Sequence, residues 1–219
     1  MFSFLKNHPF PVEAFFERSL VLTFALKKEQ LSTLIPSKLA LDTFQDELAF
    51  LAVAMVQTHS LRPKGFPKIL GNDFFLIGYR IFVRYQNIAG KNLRGLFILK
   101  SETDSKKMQY LGNLFTHYNY TTTDIEIIGN NQLESIKSNR SRFKVSVSKE
   151  KKDLALPDSS PFDSWEEARR FAGPLPFTFT WNNHYKSILI IEGVRNNWKP
   201  EPVQVLDYSF NFMESSEFS

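Results

Sequence analysis

The chain has 219 residues, with 27 Lys and Arg against 23 Asp and Glu for a net charge of +4, and 22 Phe within a 42% hydrophobic composition. That is enough large apolar side chain for one sizeable core without metal or disulfide staples, and a single domain over residues 1–219 is the simplest expectation. The absence of cysteine excludes a thiol nucleophile, a disulfide framework and any Cys-based zinc or iron–sulfur site.

Phe16 to Leu26 is apolar enough for a core strand, and Lys27 to Ile35 follows as a short helix that Pro36 stops. Leu39 to Phe44 and Leu48 to Gln57 read as a strand hairpin around Gln45-Asp46-Glu47. Leu61 to Asp73 carries two prolines and two glycines and reads as a loop. Phe74 to Tyr85 and Leu93 to Leu99 pair as strands, and Ser105 to Phe115 forms a helix. Thr121 to Ile128 and Gln132 to Lys137 flank the turn Gly129-Asn130-Asn131, and Phe143 to Val147 adds a strand.

At Ser164-Trp165-Glu166-Glu167 the Ser and the Glu three positions on give a capping-box pattern, and Gly173-Pro174 stops a helix over Trp165 to Phe171. Phe177 to Trp181, Tyr185 to Ile191 and Val203 to Phe212 complete the strands, with Asn182-Asn183-His184 as a turn. About a dozen strands exceed what one open sheet usually carries, so a closed barrel or two packed sheets are expected.

Tyr79-Arg80-Ile81-Phe82-Val83-Arg84-Tyr85, then a polar loop, then Arg94-Gly95-Leu96-Phe97-Ile98-Leu99, resembles a strand pair of the acetoacetate decarboxylase-like superfamily. More narrowly it is similar to an uncharacterised branch of it. Leu34-Ile35-Pro36 and Leu39-Ala40-Leu41-Asp42 resemble that branch's entry segment, and the likeness runs over most of residues 18 to 213. The resemblance implies a mainly β, α+β fold: an antiparallel β-barrel or cone with a central pocket, a few short peripheral helices and a homo-oligomeric assembly.

In the decarboxylases a lysine forms a Schiff base with a keto acid, its amine kept partly neutral by desolvation and a second cation. Phe66-Pro67-Lys68-Ile69-Leu70-Gly71 matches the family's lysine motif at Lys68, with Ile69 in place of the second lysine. In chain order, however, the segment after the strand pair is Leu111 to Tyr118, and it contains no lysine. The resemblance therefore implies the barrel without its decarboxylating amine. Lys106 and Lys107 are adjacent but lie on a helix and read as solvent-facing.

Arg80 sits among apolar residues in a central strand, where a guanidinium needs a carboxylate, a carbonyl cluster or a ligand anion. An acid such as Asp42 or Glu126 and a ligand carboxylate are both open as its partner. Arg84 shares its face by strand alternation. His117 and Tyr118 occupy the family's reactive segment, and an imidazole there can act as acid or base; a hydrogen-bonded histidine at a helix end is the plainer reading. Trp181, with the Phe177/Phe179 stripe, either lines a cavity or fills the core. Lys68 and His117 are thus the catalytic candidates, and Arg80, Arg84, Tyr118 and Trp181 the ligand-binding ones.

His8, His59 and His184 are dispersed, so no metal site or cofactor is expected. The basic stretch Lys137, Arg140, Arg142, Lys144, Lys149, Lys151 and Lys152 alternates with apolar residues as a solvated hairpin does, so no nucleic acid partner is expected. No apolar run approaches a membrane span, and the start of the chain lacks a secretory pattern; no membrane association and a cytoplasmic location are expected. Three functions remain open: a barrel binding a small apolar or carbonyl- or carboxylate-bearing molecule, a Schiff-base lyase using Lys68, and a structural barrel with a filled core.

Overall fold

The computed structural model describes residues 3–150, 153–196 and 199–214. In chain order the elements are β1 (Val12–Lys27), α1 (Lys28–Ser32), β2 (Ala40–Leu41), β3 (Leu48–Pro63), β4 (Asn72–Gln86), β5 (Asn92–Thr103), α2 (Lys106–Phe115), β6 (Tyr120–Thr122), β7 (Glu126–Gly129), β8 (Leu133–Ser138), β9 (Phe143–Ser148), α3 (Trp165–Ala172), β10 (Phe177–Asn182), β11 (Ser187–Glu192) and β12 (Val205–Phe210). A 3-10 turn covers Lys68–Leu70. The fold is mainly β with a few short helices. Two compact units divide it: Met1–Thr122 with Leu175–Gly193, and Thr123–Pro174 with Val194–Ser219.

The first unit holds an eight-stranded sheet in the order β1-β3-β4-β5-β10-β11, with β2 paired to β4 and β6 to β5. Its central strands β3 and β4 read as near-continuous apolar runs because a central strand has a neighbour on each edge and both faces to cover. Ala49 to Val56 are all buried, as are Ile77, Tyr79, Ile81 and Val83. The sheet departs from the antiparallel expectation along one side of β5, where both β10 and β6 run parallel to it.

Two expected pairings are corrected. Leu39 to Phe44 does not form a hairpin with the following strand: β2 pairs with β4 through Ala40–Arg84 and Leu41–Val83, and only the bridge Phe44–Leu48 joins the two arms. The expected strand Thr121 to Ile128 breaks at Thr123-Asp124-Ile125, its first part pairing with β5 and its second with β8. A hydrogen-bond network around the exposed Asp124 carboxylate explains the break. Its carboxylate accepts hydrogen bonds from Ser138 Oγ at 2.7 Å and from the Arg140 and Asn139 amides at 2.9 and 3.2 Å. These bonds hold the carboxyl down at about 2.

The second unit holds the four-stranded sheet β12-β9-β8-β7. Its buried side is Ile136, Phe143, Val145, Val147 and Phe210. Helix α3 begins where its sequence pattern placed it: Ser164 Oγ accepts from the Glu167 amide at 3.1 Å. Glu167 itself reaches the Asp163 amide at 2.9 Å instead of the Ser164 amide, so the reciprocal half of the box shifts by one residue.

Candidate ligand-binding site

Strand alternation sorts β4 into two sides. Tyr79, Ile81 and Val83 face the apolar interior, and Gly78, Arg80, Phe82 and Arg84 face the other way. Around Arg80 the neighbours on its own side are small: Ala52 pairs with Arg80 and Ala54 with Gly78 across β3. A Cβ on Gly78 would lie 2.9 Å from Arg80 Nε and 3.2 Å from Nη2, so the guanidinium occupies the space the glycine leaves open. On the β5 side, Tyr79 pairs with Lys100 and Arg80 with Ile98, leaving Leu99 as a bulge beside the arginine. Bulges of this kind re-aim side chains and recur next to binding sites.

The outer edge of β5 is shared. β10 pairs along Gly95 to Phe97 and β6 along Ser101 to Thr103, so the two strands part at the level of the bulge. The segments Asn7-His8 and Thr116 to Tyr120 lie at this fork. Asn182 Nδ2 donates to Asn7 Oδ1 at 3.1 Å, and His117 Nε2 lies 3.3 Å from the same oxygen. The His8 amide donates to the Phe115 carbonyl at 3.1 Å, and the His8 ring lies 5.2 Å from that of Tyr118, itself 5.9 Å from Tyr120. Tyr120 is buried with Phe74 and Met108, against which Tyr118 and Leu76 pack.

The electrostatics follow from burial. Desolvation pushes the Tyr118 phenol up to about 12, opposed by the positive charge of Arg80, and raises Tyr120 further with Tyr118 adding to the effect. Burial, with the charge of His117 behind it, lowers His8 to about 4, and burial together with Lys6 lowers His117. At neutral pH the fork therefore presents two uncharged imidazoles, two un-ionised phenols and one guanidinium. That set can hold a single anionic group while donating hydrogen bonds to neutral oxygens.

The candidate residues fall in different places. Arg80, Tyr118 and His117 gather at the fork. Arg84, four residues along, is instead bound to Asp42: its Nε donates to Oδ1 at 2.5 Å, and Arg94 Nη2 lies 2.6 Å from Oδ2. Asp42 is fully buried, so this carboxylate anchors β2 to β4 and β5. Trp181 lies on the opposite side of β10 from Asn182, with Lys38 Nζ 5.9 Å from its ring. Lys68 is exposed and borders an open depression of about 290 Å3 with Glu13, Phe15, His59, Ser60 and Arg62. There Arg62 is held by Glu13 at 2.7 Å, and His59 bridges Glu17 at 2.8 Å and Asp73 at 3.2 Å. A second open depression, about 520 Å3, runs between Lys28 and Asp46. Neither includes Arg80.

Other residues carry chemistry that the sequence did not single out. Lys100 Nζ lies 3.1 Å from Glu102 Oε1 and 5.5 Å from the centre of the Tyr79 ring, placing an ion pair on the interior side of the sheet. An adjacent acid two residues away on one strand face was the available signal. The basic stretch resolves into pairs: Lys137 with Glu126, Lys144 with Asp207 and Lys149 with Glu134. Lys151 and Lys152 lie outside the described residues. Among the described residues no cluster of three or more His, Asp or Glu is arranged to hold a metal ion, and no helix is long and apolar enough to cross a membrane.

A family model matches residues 14–219 and describes uncharacterized conserved proteins. The chain belongs to this family, DUF2071. No curated protein matches its sequence. Among solved structures it is similar to acetoacetate decarboxylase from Legionella pneumophila, at 12% identity over 80% of this chain and 61% of that one, with a TM-score of 0.52. It is also similar to the enduracididine biosynthesis enzyme MppR bound to the condensation product of pyruvate and imidazole 4-carboxaldehyde, at 10% identity over 69% of this chain and 61% of that one, TM-score 0.48. An acetoacetate decarboxylase-like enzyme from Sphingomonas wittichii matches at 15% identity over 77% of this chain and 64% of that one, TM-score 0.45. This DUF2071 chain thus has the acetoacetate decarboxylase-like fold and spans about three fifths of the length of the solved structures it matches.

Proposed function

We propose that this DUF2071 protein binds a small, largely apolar molecule carrying one carboxylate or carbonyl group at the Arg80 fork, without decarboxylating it. The observation that carries the reading is the guanidinium laid over Gly78, above Ala52 and Ala54 and among un-ionised tyrosines. A planar fork of donors in such surroundings suits a carboxylate, and Phe50, Phe82 and Ile98 on the same side suit a short hydrocarbon. Tyr118, packed against Phe74, Met108 and Tyr120 and within electrostatic reach of Arg80, makes the Thr116 to Asn119 turn the segment that yields on ligand entry in this reading.

Lys68 does not serve this fork. It precedes β4, and the eight residue steps from Asn72 to Arg80 extend about 26 Å, several times the reach of a lysine side chain. Its exposed position beside Ile69 and Leu70 also leaves its ammonium hydrated, whereas an imine-forming amine works desolvated.

The test is calorimetric titration with short carboxylates, 2-oxo and 3-oxo acids and medium-chain fatty acids, with hydrogen exchange in residues 116–120 as a second readout. The reading requires saturable binding that slows exchange in that turn and is lost in Arg80→Met. Binding that survives Arg80→Met, or borohydride trapping of a keto acid on Lys68, overturns it.

A further inference from the structure

Thr180 lies on the polar side of β10. Phe179 pairs with Phe97, which pairs with Ile81, so Phe179 faces the apolar interior and Thr180, one residue on, faces the side that holds Arg80. Thr178 and Asn182 share that side, and Asn182 reaches Asn7 at the fork. Thr180 also sits at the level of Ile98, the β5 residue paired with Arg80. In this row across the sheet Arg80 and Thr180 flank Ile98.

Thr180 is 1% exposed, and its Oγ1 has no hydrogen-bond partner among the described residues. A buried hydroxyl left in that state costs stability, while a valine of the same shape does not. The neighbouring strand residues show no such cost: Asn182 is bonded to Asn7 and to the amides of His184 and Tyr185. A second atom at the fork, His8 Nε2, is likewise buried without a partner. Two buried hydrogen-bonding atoms without protein partners thus lie on the side of the sheet that carries the only guanidinium of the fork.

We infer that Thr180 is a specificity-determining residue, its hydroxyl hydrogen-bonding a second, neutral oxygen of a ligand whose carboxylate lies at Arg80. The inference rests on the Arg80 reading and deepens it: the ligand class narrows from simple alkanoates to short carboxylates bearing a hydroxyl or carbonyl oxygen a few bonds from the acid group. Alkanoates satisfy Arg80 alone and leave the Thr180 hydroxyl unmet, which is how a buried polar atom discriminates between near-isosteres.

Calorimetric titration of wild type, Thr180→Val, Thr180→Ser and Arg80→Met with butyrate and with 3-hydroxybutyrate tests this, alongside thermal melts. Wild type should prefer 3-hydroxybutyrate by about tenfold, the cost of one unmet hydrogen bond. Thr180→Val should abolish that preference by weakening 3-hydroxybutyrate, with Tm raised, and Thr180→Ser should keep it. If Thr180→Val does not fold, Thr180→Ala serves for the same comparison. Equal affinity for both probes in wild type, or a preference that persists in Thr180→Val, overturns the inference while leaving the Arg80 reading standing if Arg80→Met still loses both. Failure of wild type to bind either probe overturns both.

Discussion

Arg80 and Arg84 stand on the same side of one strand, four residues apart, and the fold uses them differently. Arg84 faces Arg94 directly across the β4–β5 ladder, a like-charge pairing that is unfavourable unless an acid intervenes. Asp42, the residue after β2, supplies that acid, fully buried, with both oxygens engaged. Arg80 has alanines and a glycine beside it and tyrosines above. A guanidinium wedged between a carboxylate and a second guanidinium is a fastener; one set over a floor of small residues is the seat we propose for a ligand anion. What separates the two roles is which distant segment arrives to cover each.

Removing the fastener should have the largest effect. Asp42→Ala leaves two adjacent guanidiniums without their shared counter-ion and should cost about 3 kcal/mol, the low end for a broken buried pair because both arginines remain partly exposed. Denaturant melts measure it, and the fork should still bind its ligand under native conditions. Loss of Arg80-dependent binding in a folded Asp42→Ala protein would show that the two arginines are one site. Arg80→Met is read in binding, which should weaken about 30-fold or more for the lost charged contact.

Gly78→Ala sharpens the contrast further. Its Cβ meets a flexible side chain, so the fold adjusts, but the guanidinium must move, and about a tenfold loss of affinity is expected. An unchanged dissociation constant would mean that the seat on Gly78 does not matter for binding.

The smallest expected effect is in pH dependence. His8 is lowered to about 4 in the folded state against its ordinary 6.5, so the unfolded chain takes up a proton first as pH falls. Its contribution to stability therefore declines from pH 6.5 down to about 4 and levels off below. His59 runs the other way: raised by hydrogen bonds to Glu17 and Asp73, it contributes fully below 6.5 and loses that contribution as pH rises through its folded value. Melts of His8→Gln across this range should lose the acid-side decline. Their persistence with the wild-type shape would remove His8 from the account.

Much of the fold was legible because it rests on local signals. The alternation in Phe74 to Tyr85 and Leu93 to Leu99 is that of β4 and β5, and Ser164 and Gly173 bound α3 as their residue types dictate. Pairing across intervening strands was not legible: Leu39 to Phe44 suits a hairpin as well as it suits an edge on β4, and nothing local chooses between them. The break at Asp124 was hidden because its cause is a set of hydroxyls and amides brought from residues 138–141.

The site shows the same division. Arg80 was visible as a charge in an apolar strand, and His117 and Tyr118 by their place after the helix. Asn7 and His8 were not, since they reach the fork from the far end of the chain. Thr180 gave no signal because threonine is an ordinary strand residue, and only its buried hydroxyl without a partner distinguishes it.

The parallel strands flanking β5 also govern how the sheet is completed. Residues 123–174 leave after β6 and return at Leu175 before β10, so the two parallel neighbours of one strand are the exit and re-entry of a long excursion. During synthesis the edge of β5 along Gly95 to Phe97 must wait for some eighty further residues before β10 emerges to cover it. Such pairing is slow because loop closure precedes any reward from contact. The nascent sheet thus carries an uncovered apolar edge along Gly95 to Phe97 until its last strands dock.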